Sequence, residues 1–283
     1  MEIRNVGVAG CGLMGGGIAQ VCAQAGYRVM VLEMEQRFLD KGLGAIAKNL
    51  ARAVAKGKLP QAEMDAVLGR ITGTTVVVDL RDSDLVIEAI IENPQAKTDL
   101  FGALDGVCPA HTVFASNTSS IPIIEIAAAT QRPDRFVGLH FFNPVPVMQL
   151  VEVIRTIQSS DASVANATAF AQSLGKKTIQ AKDRAGFVVN FLLVPYLYEA
   201  IRMLETGMAS REDIDTGMVL GCNYPMGPLT LADYVGLDTL CAIGDIFFEA
   251  FREARYAAPL LLRQMVAAGL YGRKSGKGFY DYG

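Results

Sequence analysis

The sequence predicts an α/β fold, an N-terminal doubly wound parallel sheet followed by a C-terminal all-helical domain. Three observations carry this. Short β-rich runs alternate with helical stretches through the first half, and a glycine-rich turn follows the first run. From Phe187 onward the chain changes to long apolar helical runs punctuated by Gly207, Gly221, Pro225, Gly227 and Pro228.

The expected strands are residues 6–9, 29–32, 76–78, 85–87, 113–116 and 136–140, separated by amphipathic or Ala-rich segments. Two further strand-like runs, 149–154 and 178–181, flank an Ala-rich helix expected at 163–174. The change of character at Ala185-Gly186 sets the expected domains at 1–185 and 186–283. The apolar run 187–201 is broken by Asn190 and Pro195 and reads as a buried helix, too short and interrupted for a membrane span.

Composition narrows the function class. With 283 residues, 51% hydrophobic and 19% charged, the chain matches an ordinary globular protein of two domains. A net charge of -3 gives no reason to expect nucleic acid or an anionic membrane as partner. Residues 1–5 lead directly into a strand and a glycine turn, so no secretion signal is expected. The five scattered cysteines contain no CxxC pair, which fits reduced thiols in the cytoplasm and no metal site.

Val6-Gly7-Val8-Ala9 leads into Gly10-Cys11-Gly12-Leu13-Met14-Gly15 and then a helical run to Ala25, the arrangement of a Rossmann-like dinucleotide-binding domain. Gly10 permits the tight turn, Gly12 lets backbone approach a pyrophosphate, and Gly15 lets helix pack on strand. The phosphates then face a helix N-terminus. Glu33 ends the second strand 18 residues beyond Gly15, where a carboxylate accepts from ribose hydroxyls and repels a 2'-phosphate. The expected cofactor is NAD; the alternative is that Glu33 only caps a strand end.

Only two histidines are available as a general base. His111 sits in a polar turn after Cys108-Pro109-Ala110, whereas His140 ends the apolar strand Phe136-Val137-Gly138-Leu139, at the sheet edge where open α/β folds bind ligands. Glu152, inside Leu150-Val151-Glu152-Val153-Ile154, is an acid among aliphatics and needs a partner. If the chain folds back about Pro146, residues 140 and 152, each six away, lie level. The carboxylate then orients the imidazole and stabilises its cation; a purely structural His–Glu pair is the other reading. One hydroxyl of Ser116-Asn117-Thr118-Ser119-Ser120 fits a helix cap, but not the whole cluster. Asn190, in Gly186-Phe187-Val188-Val189-Asn190, requires a partner, either neighbouring backbone or a substrate carbonyl.

These residues resemble the 3-hydroxyacyl-CoA dehydrogenase family, most closely its short bacterial-type 3-hydroxybutyryl-CoA members. The matching segments also include Glu88-Ala89-Ile90-Ile91-Glu92-Asn93, Tyr224-Pro225-Met226-Gly227-Pro228 and Gly276-Lys277-Gly278-Phe279-Tyr280, so they span almost the whole chain. The resemblance implies NAD-dependent interconversion of (S)-3-hydroxyacyl-CoA and 3-oxoacyl-CoA in fatty acid or butanoate metabolism. It implies that His140 moves the proton, that Glu152 holds its ring, and that Ser119 and Asn190 contact substrate. On the cofactor side it implies Glu92, Lys97 as donor to a ribose hydroxyl, and Asn117, beside Gly10, Gly12, Leu13, Met14, Gly15 and Glu33. It further implies a homodimer through the C-terminal helices. Lys48, Arg52 and Lys56 recur at i, i+4 and i+8 with Lys58 close behind, a basic stripe that suits CoA phosphates or is simply a solvated face. Phe191 stands where relatives commonly carry Arg. Two rivals share the architecture: dehydrogenases of free β-hydroxy acids, whose catalytic-lysine motif is not visible, and a catalytically silent nucleotide binder, against which the complete polar set argues.

Overall fold

The computed structural model describes residues Glu2–Gly283. Contacts divide the chain into two compact units, one ending at Arg184 and the other spanning Ala185–Gly283.

In the first unit eight strands form one sheet: β1 Asn5–Ala9, β2 Arg28–Leu32, β3 Ile71–Thr74, β4 Leu85–Glu88, β5 Val113–Ser116, β6 Phe136–Phe141, β7 Leu150–Arg155 and β8 Lys177–Lys182. Their order is β3-β2-β1-β4-β5-β6-β7-β8. Neighbours from β3 to β6 are parallel, β6 and β7 are antiparallel, and β7 and β8 are parallel again. Six helices accompany the sheet: α1 Leu13–Gln24, α2 Gln36–Ala55, α3 Gln61–Leu68, α4 Pro94–Val107, α5 Ile123–Ala127 and α6 Asp161–Ser173. Strands covered on both faces need apolar residues without alternation, and β4, β5 and β6 are buried at every position. The chain runs β1 to β3 in one direction and resumes with β4 on the other side of β1. That reversal opens a crevice at the carboxyl ends of β1 and β4.

One expected strand moves. Val76, Val77 and Val78 carry the β-branched signal, yet the edge strand is Ile71–Thr74 and a 3-10 turn covers Val77–Leu80. The Thr74 hydroxyl accepts from the Val76 amide at 3.0 Å and donates to Asp79 at 2.5 Å, turning the chain off the sheet. Val76 and Val78 are left exposed. Local turn chemistry overrides strand propensity here.

The second unit contains α7 Val189–Glu205, α8 Arg211–Cys222, α9 Pro228–Val235, α10 Leu237–Phe251 and α11 Leu260–Ala267. Its core gathers Leu197, Tyr198, Leu229, Leu237, Phe247 and Leu262, all essentially inaccessible. Near the C-terminus two isolated bridges form, Gly272 to Lys277 and Lys277 to Asp281. Asp233, fully buried, holds this tail by accepting from the Phe279 and Tyr280 amides, both at 2.9 Å. No helix among the described residues is long and apolar enough to cross a membrane.

Candidate active site

The glycine turn leaves β1 at Gly10, whose φ of +99° favours glycine and whose amide donates to the Leu32 carbonyl at 2.8 Å. A Cβ there would lie 2.5 Å from the Ala89 carbonyl oxygen. Gly15 packs more tightly still: its Cβ would meet the Gly10 carbonyl oxygen at 2.0 Å, so it closes the turn on itself rather than on the strand. Gly12 is the opposite case, with nothing within 4 Å of its missing Cβ. The backbone is therefore open to an approaching ligand at Gly12.

Helix α1 begins at Leu13 with no side-chain cap and no acid in its first turn. Its first amides, at Leu13, Met14 and Gly15, have no partner inside the helix, and the helix dipole favours an anion beside them. Leu13 is 75% exposed over this edge. Glu33, half-buried after β2, accepts from the Cys11 amide at 2.8 Å and the Met34 amide at 2.9 Å. It braces the turn, and each oxygen retains a lone pair for a ribose hydroxyl. These features suit a dinucleotide: an open backbone, an uncapped helix N-terminus and a carboxylate at the second strand end. Cys11 points inward at 4% exposure, and α2 admits it only because Gly42 lacks a Cβ, which would lie 2.3 Å from the sulfur. Burial first, and the nearby Glu33 charge second, push its thiol up to about 11.

A buried charged network lies at the ends of β4 and β5. Glu88, fully buried, accepts from Lys97 Nζ at 2.5 Å, Ser116 Oγ at 2.6 Å and the Ile90 amide at 2.7 Å. Lys97 is 1% exposed and reaches Glu92 at 3.2 Å with the same ammonium. Expected to meet a ribose hydroxyl, it is instead enclosed between two carboxylates, and the member of the network nearer solvent is Glu92. Glu92 also accepts from Thr118 Oγ1 at 2.5 Å, Ser120 Oγ at 3.0 Å and the Ser119 amide at 3.2 Å. Burial opposes its charge, but Lys97 and these donors outweigh that and hold its carboxyl below the usual range.

The hydroxyls of Ser116, Thr118 and Ser120 are thus all engaged, while that of Ser119 makes no hydrogen bond among the described residues. Of this polar cluster, Ser119 is the member available to a ligand. Asn117 uses its carbonyl to accept from the Phe141 amide at 2.9 Å, tying this loop to the strand of His140.

His140 and Glu152 stand directly opposite each other in the antiparallel β6–β7 pair. Their Nδ1 and Oε2 atoms are 2.6 Å apart, with the residues 5% and 0% exposed. A carboxylate only accepts, so toward one Nδ1 is the donor, and a neutral ring then has its acceptor at Nε2. The Phe142 ring lies 4.5 Å from the imidazole and covers it. His111, by contrast, is exposed and 3.3 Å from Asp84 at the opposite edge of the sheet.

Lys48, Arg52, Lys56 and Lys58 are all exposed along and just beyond α2, and none forms an ion pair among the described residues. Asn190 lies in the first turn of α7, half-buried, and its side chain makes no hydrogen bond among the described residues. Phe191 stacks edge-on to Phe251 at 5.6 Å and against Tyr256 at 5.8 Å. Glu88 escaped the sequence reading, although its signal was present: an acid ending the apolar run Leu85-Val86-Ile87, as Glu33 ends β2.

The chain is similar to known proteins over its full length. Residues 5–184 match the family model described as 3-hydroxyacyl-CoA dehydrogenase, NAD binding domain, and residues 186–282 match that of its C-terminal domain. The chain is 52% identical over 282 residues to a Mycobacterium tuberculosis protein named 3-hydroxybutyryl-CoA dehydrogenase, covering 99% of each. It is 48% identical to the human mitochondrial hydroxyacyl-coenzyme A dehydrogenase, covering 99% of this chain and 91% of that one. Among solved structures it is similar to M. tuberculosis FadB2, with a TM-score of 0.98, 51% identity and full coverage of both chains. It is also similar to the (S)-3-hydroxybutyryl-CoA dehydrogenase PaaH1 of Ralstonia eutropha, with a TM-score of 0.96, 47% identity and full coverage of both.

Proposed function

Since the chain belongs to the 3-hydroxyacyl-CoA dehydrogenase family, we propose that it oxidises (S)-3-hydroxyacyl-CoA to 3-oxoacyl-CoA and catalyses the reverse, on short chains such as 3-hydroxybutyryl-CoA and acetoacetyl-CoA. The observation that carries this is the buried His140–Glu152 pair, 2.6 Å apart, on the same sheet edge as an open glycine turn. NAD supplies the hydride acceptor when bound.

The chain supplies the rest. Oxidation removes a hydride from C3 and a proton from the 3-hydroxyl. His140 Nε2 takes that proton, and Glu152 stabilises the resulting imidazolium. In reduction the same nitrogen returns it. Ser119, whose hydroxyl is not consumed by the Glu88–Glu92 network, donates to the substrate oxygen, and Asn190 offers an amide to the acyl group. Gly10, Gly12, Leu13, Met14 and Gly15 present backbone to the pyrophosphate, and Glu33 binds the ribose. Glu92, with Lys97 fixing it from beneath and Asn117 holding the adjoining loop, completes the cofactor side. The stripe of Lys48, Arg52, Lys56 and Lys58 meets the CoA phosphates.

We also assign the protein to the cytoplasm, to fatty acid or butanoate metabolism, and to a homodimer formed through the helical unit. Support for the dimer is the exposure of Leu192, Met208, Leu220 and Tyr224 on and around α7 and α8. Sedimentation at micromolar concentration tests it, and a single monomer species refutes it.

The deciding assay mixes protein, NADH and acetoacetyl-CoA and follows loss of NADH absorbance, with His140→Ala and free acetoacetate as controls. Turnover on the thioester, roughly 10²-fold or more lower in His140→Ala, is expected. No turnover on any 3-oxoacyl-CoA, or equal turnover of the free acid, overturns the reading.

A further inference from the structure

Lys176 is a buried cation with no part in the chemistry described so far. It is 9% exposed, between α6 and β8, and its ammonium donates to the main-chain carbonyls of Val145 at 2.6 Å and Met148 at 2.8 Å. No carboxylate pairs with it among the described residues. A charge taken out of water without a counter-ion is unfavourable, and burial accordingly lowers the affinity of this amine for its proton. Both acceptors lie in one short turn, the connection that leaves β6 after His140 and returns as β7 to Glu152.

The same turn is met from its other side. Val145, 3% exposed, packs against α1 at Gly17, where an added Cβ would come within 2.9 Å of Val145 Cβ and 3.1 Å of Cγ2. Gly17 is not one of the three glycines that shape the dinucleotide turn, so its missing side chain has a different use: it is the socket for Val145. Within the turn, the Val147 and Met148 amides both donate to the Pro144 carbonyl at 2.9 Å. The connection is thus gripped between the helix that opens the cofactor site and the start of β8.

We propose that Lys176 and Gly17 form a clamp on the Pro144–Met148 turn that sets the position of His140 relative to the cofactor helix. Both are positioning residues. The proposal rests on the dehydrogenase reading above for its kinetic signature, but the clamp itself has a readout that needs no turnover. Displacement of a proton acceptor by about 1 Å costs on the order of 10²-fold in rate without weakening ground-state binding, so the clamp should act on kcat.

The test compares Lys176→Met, which keeps an unbranched apolar stem and removes the ammonium, with Gly17→Ala, which crowds Val145 from the opposite side. For each, NADH affinity is measured by fluorescence, kcat and KM with acetoacetyl-CoA, and hydrogen–deuterium exchange at the Val147 and Met148 amides. The expected result is faster exchange at those amides and kcat lower by about tenfold or more, with KM and NADH affinity within about threefold of the original. Should Lys176→Met not fold, Gly17→Ala carries the test alone. Unchanged turn exchange, kcat within twofold in the folded variants, or a loss confined to NADH affinity would each overturn the clamp. A parent protein inactive on every 3-oxoacyl-CoA overturns the dehydrogenase reading, while amide exchange still decides the clamp.

Discussion

Replacing Glu152 with Gln isolates what the carboxylate does electrostatically, because the amide keeps the size and one acceptor oxygen. In the native pair the carboxylate is fully buried and 2.6 Å from Nδ1 of an almost fully buried imidazole. Taking charge centres ~3.5 Å apart and an effective dielectric of ~20, the attraction to an imidazolium is ~5 kcal/mol. A neutral hydrogen bond from the amide recovers about 1 kcal/mol of this. The remaining ~4 kcal/mol stabilises a charge that exists only once the substrate proton has moved, so the loss falls on the transition state. At about 1.4 kcal/mol per tenfold, kcat for oxidation of 3-hydroxybutyryl-CoA should fall roughly 10²- to 10³-fold. The assay is NADH appearance under saturating NAD, with NADH affinity and thermal midpoint as controls for folding. If kcat stays within tenfold of the parent enzyme, the pair is structural and proton transfer has been placed on the wrong group.

Neutralising the basic stripe in Lys48→Ala/Arg52→Ala/Lys56→Ala should raise KM for acetoacetyl-CoA about tenfold with kcat unchanged, and should blunt the salt dependence of KM. A truncated thioester without the nucleotide should be indifferent to the change; equal effects on both substrates would remove the stripe from CoA binding. Glu33→Ser with Met34→Arg should shift preference toward NADPH by about tenfold or more. Because Glu33 also receives the Cys11 amide, NADH affinity should weaken in the same variant; an unaltered NADH-to-NADPH ratio would count against the ribose assignment. Glu92 has its carboxyl held below its ordinary value of 4.5, so as pH falls the unfolded chain binds the extra proton first. Its contribution to stability is therefore present above about pH 4.5 and lost as pH falls through its lower folded value. Glu92→Gln should flatten that part of the acid limb in a thermal-melt series, and an identical limb would show that its charge does not stabilise the fold.

Much of the site could be read from residue order alone because it is local or governed by a count. The glycine turn lies within six consecutive residues, and the alignment of His140 with Glu152 follows from equal distances about Pro146, which the β6–β7 ladder reproduces. What escaped depends on contacts remote in sequence. Lys176, between Gly175 and Lys177, looks like any surface lysine until the turn some thirty residues earlier is laid over it. The resemblance places Lys97 beside a ribose hydroxyl, and only the convergence of β4 and β5 encloses it between Glu88 and Glu92. The edge strand departs from expectation for the opposite reason: three valines carry the propensity, but the Thr74 hydroxyl ends the strand before they begin.

The seating of Cys11 bears on how the protein meets oxidants and electrophiles. A cysteine inside a loop that must stay open to its ligand would ordinarily be a point of inactivation, since the thiolate is the reactive species. With its thiol up at about 11, only ~10⁻⁴ of it is ionised at neutral pH, and the sulfur is turned under α2. Cys22, Cys108 and Cys241 are buried as well, and burial raises each of their thiols. Alkylating chemistry on a single folded chain is thereby directed to Cys222, the exposed thiol at the end of α8, which lies between Leu220 and Tyr224 and would be covered in the proposed dimer. A fluorophore or cross-linker placed there would leave the dinucleotide turn chemically intact.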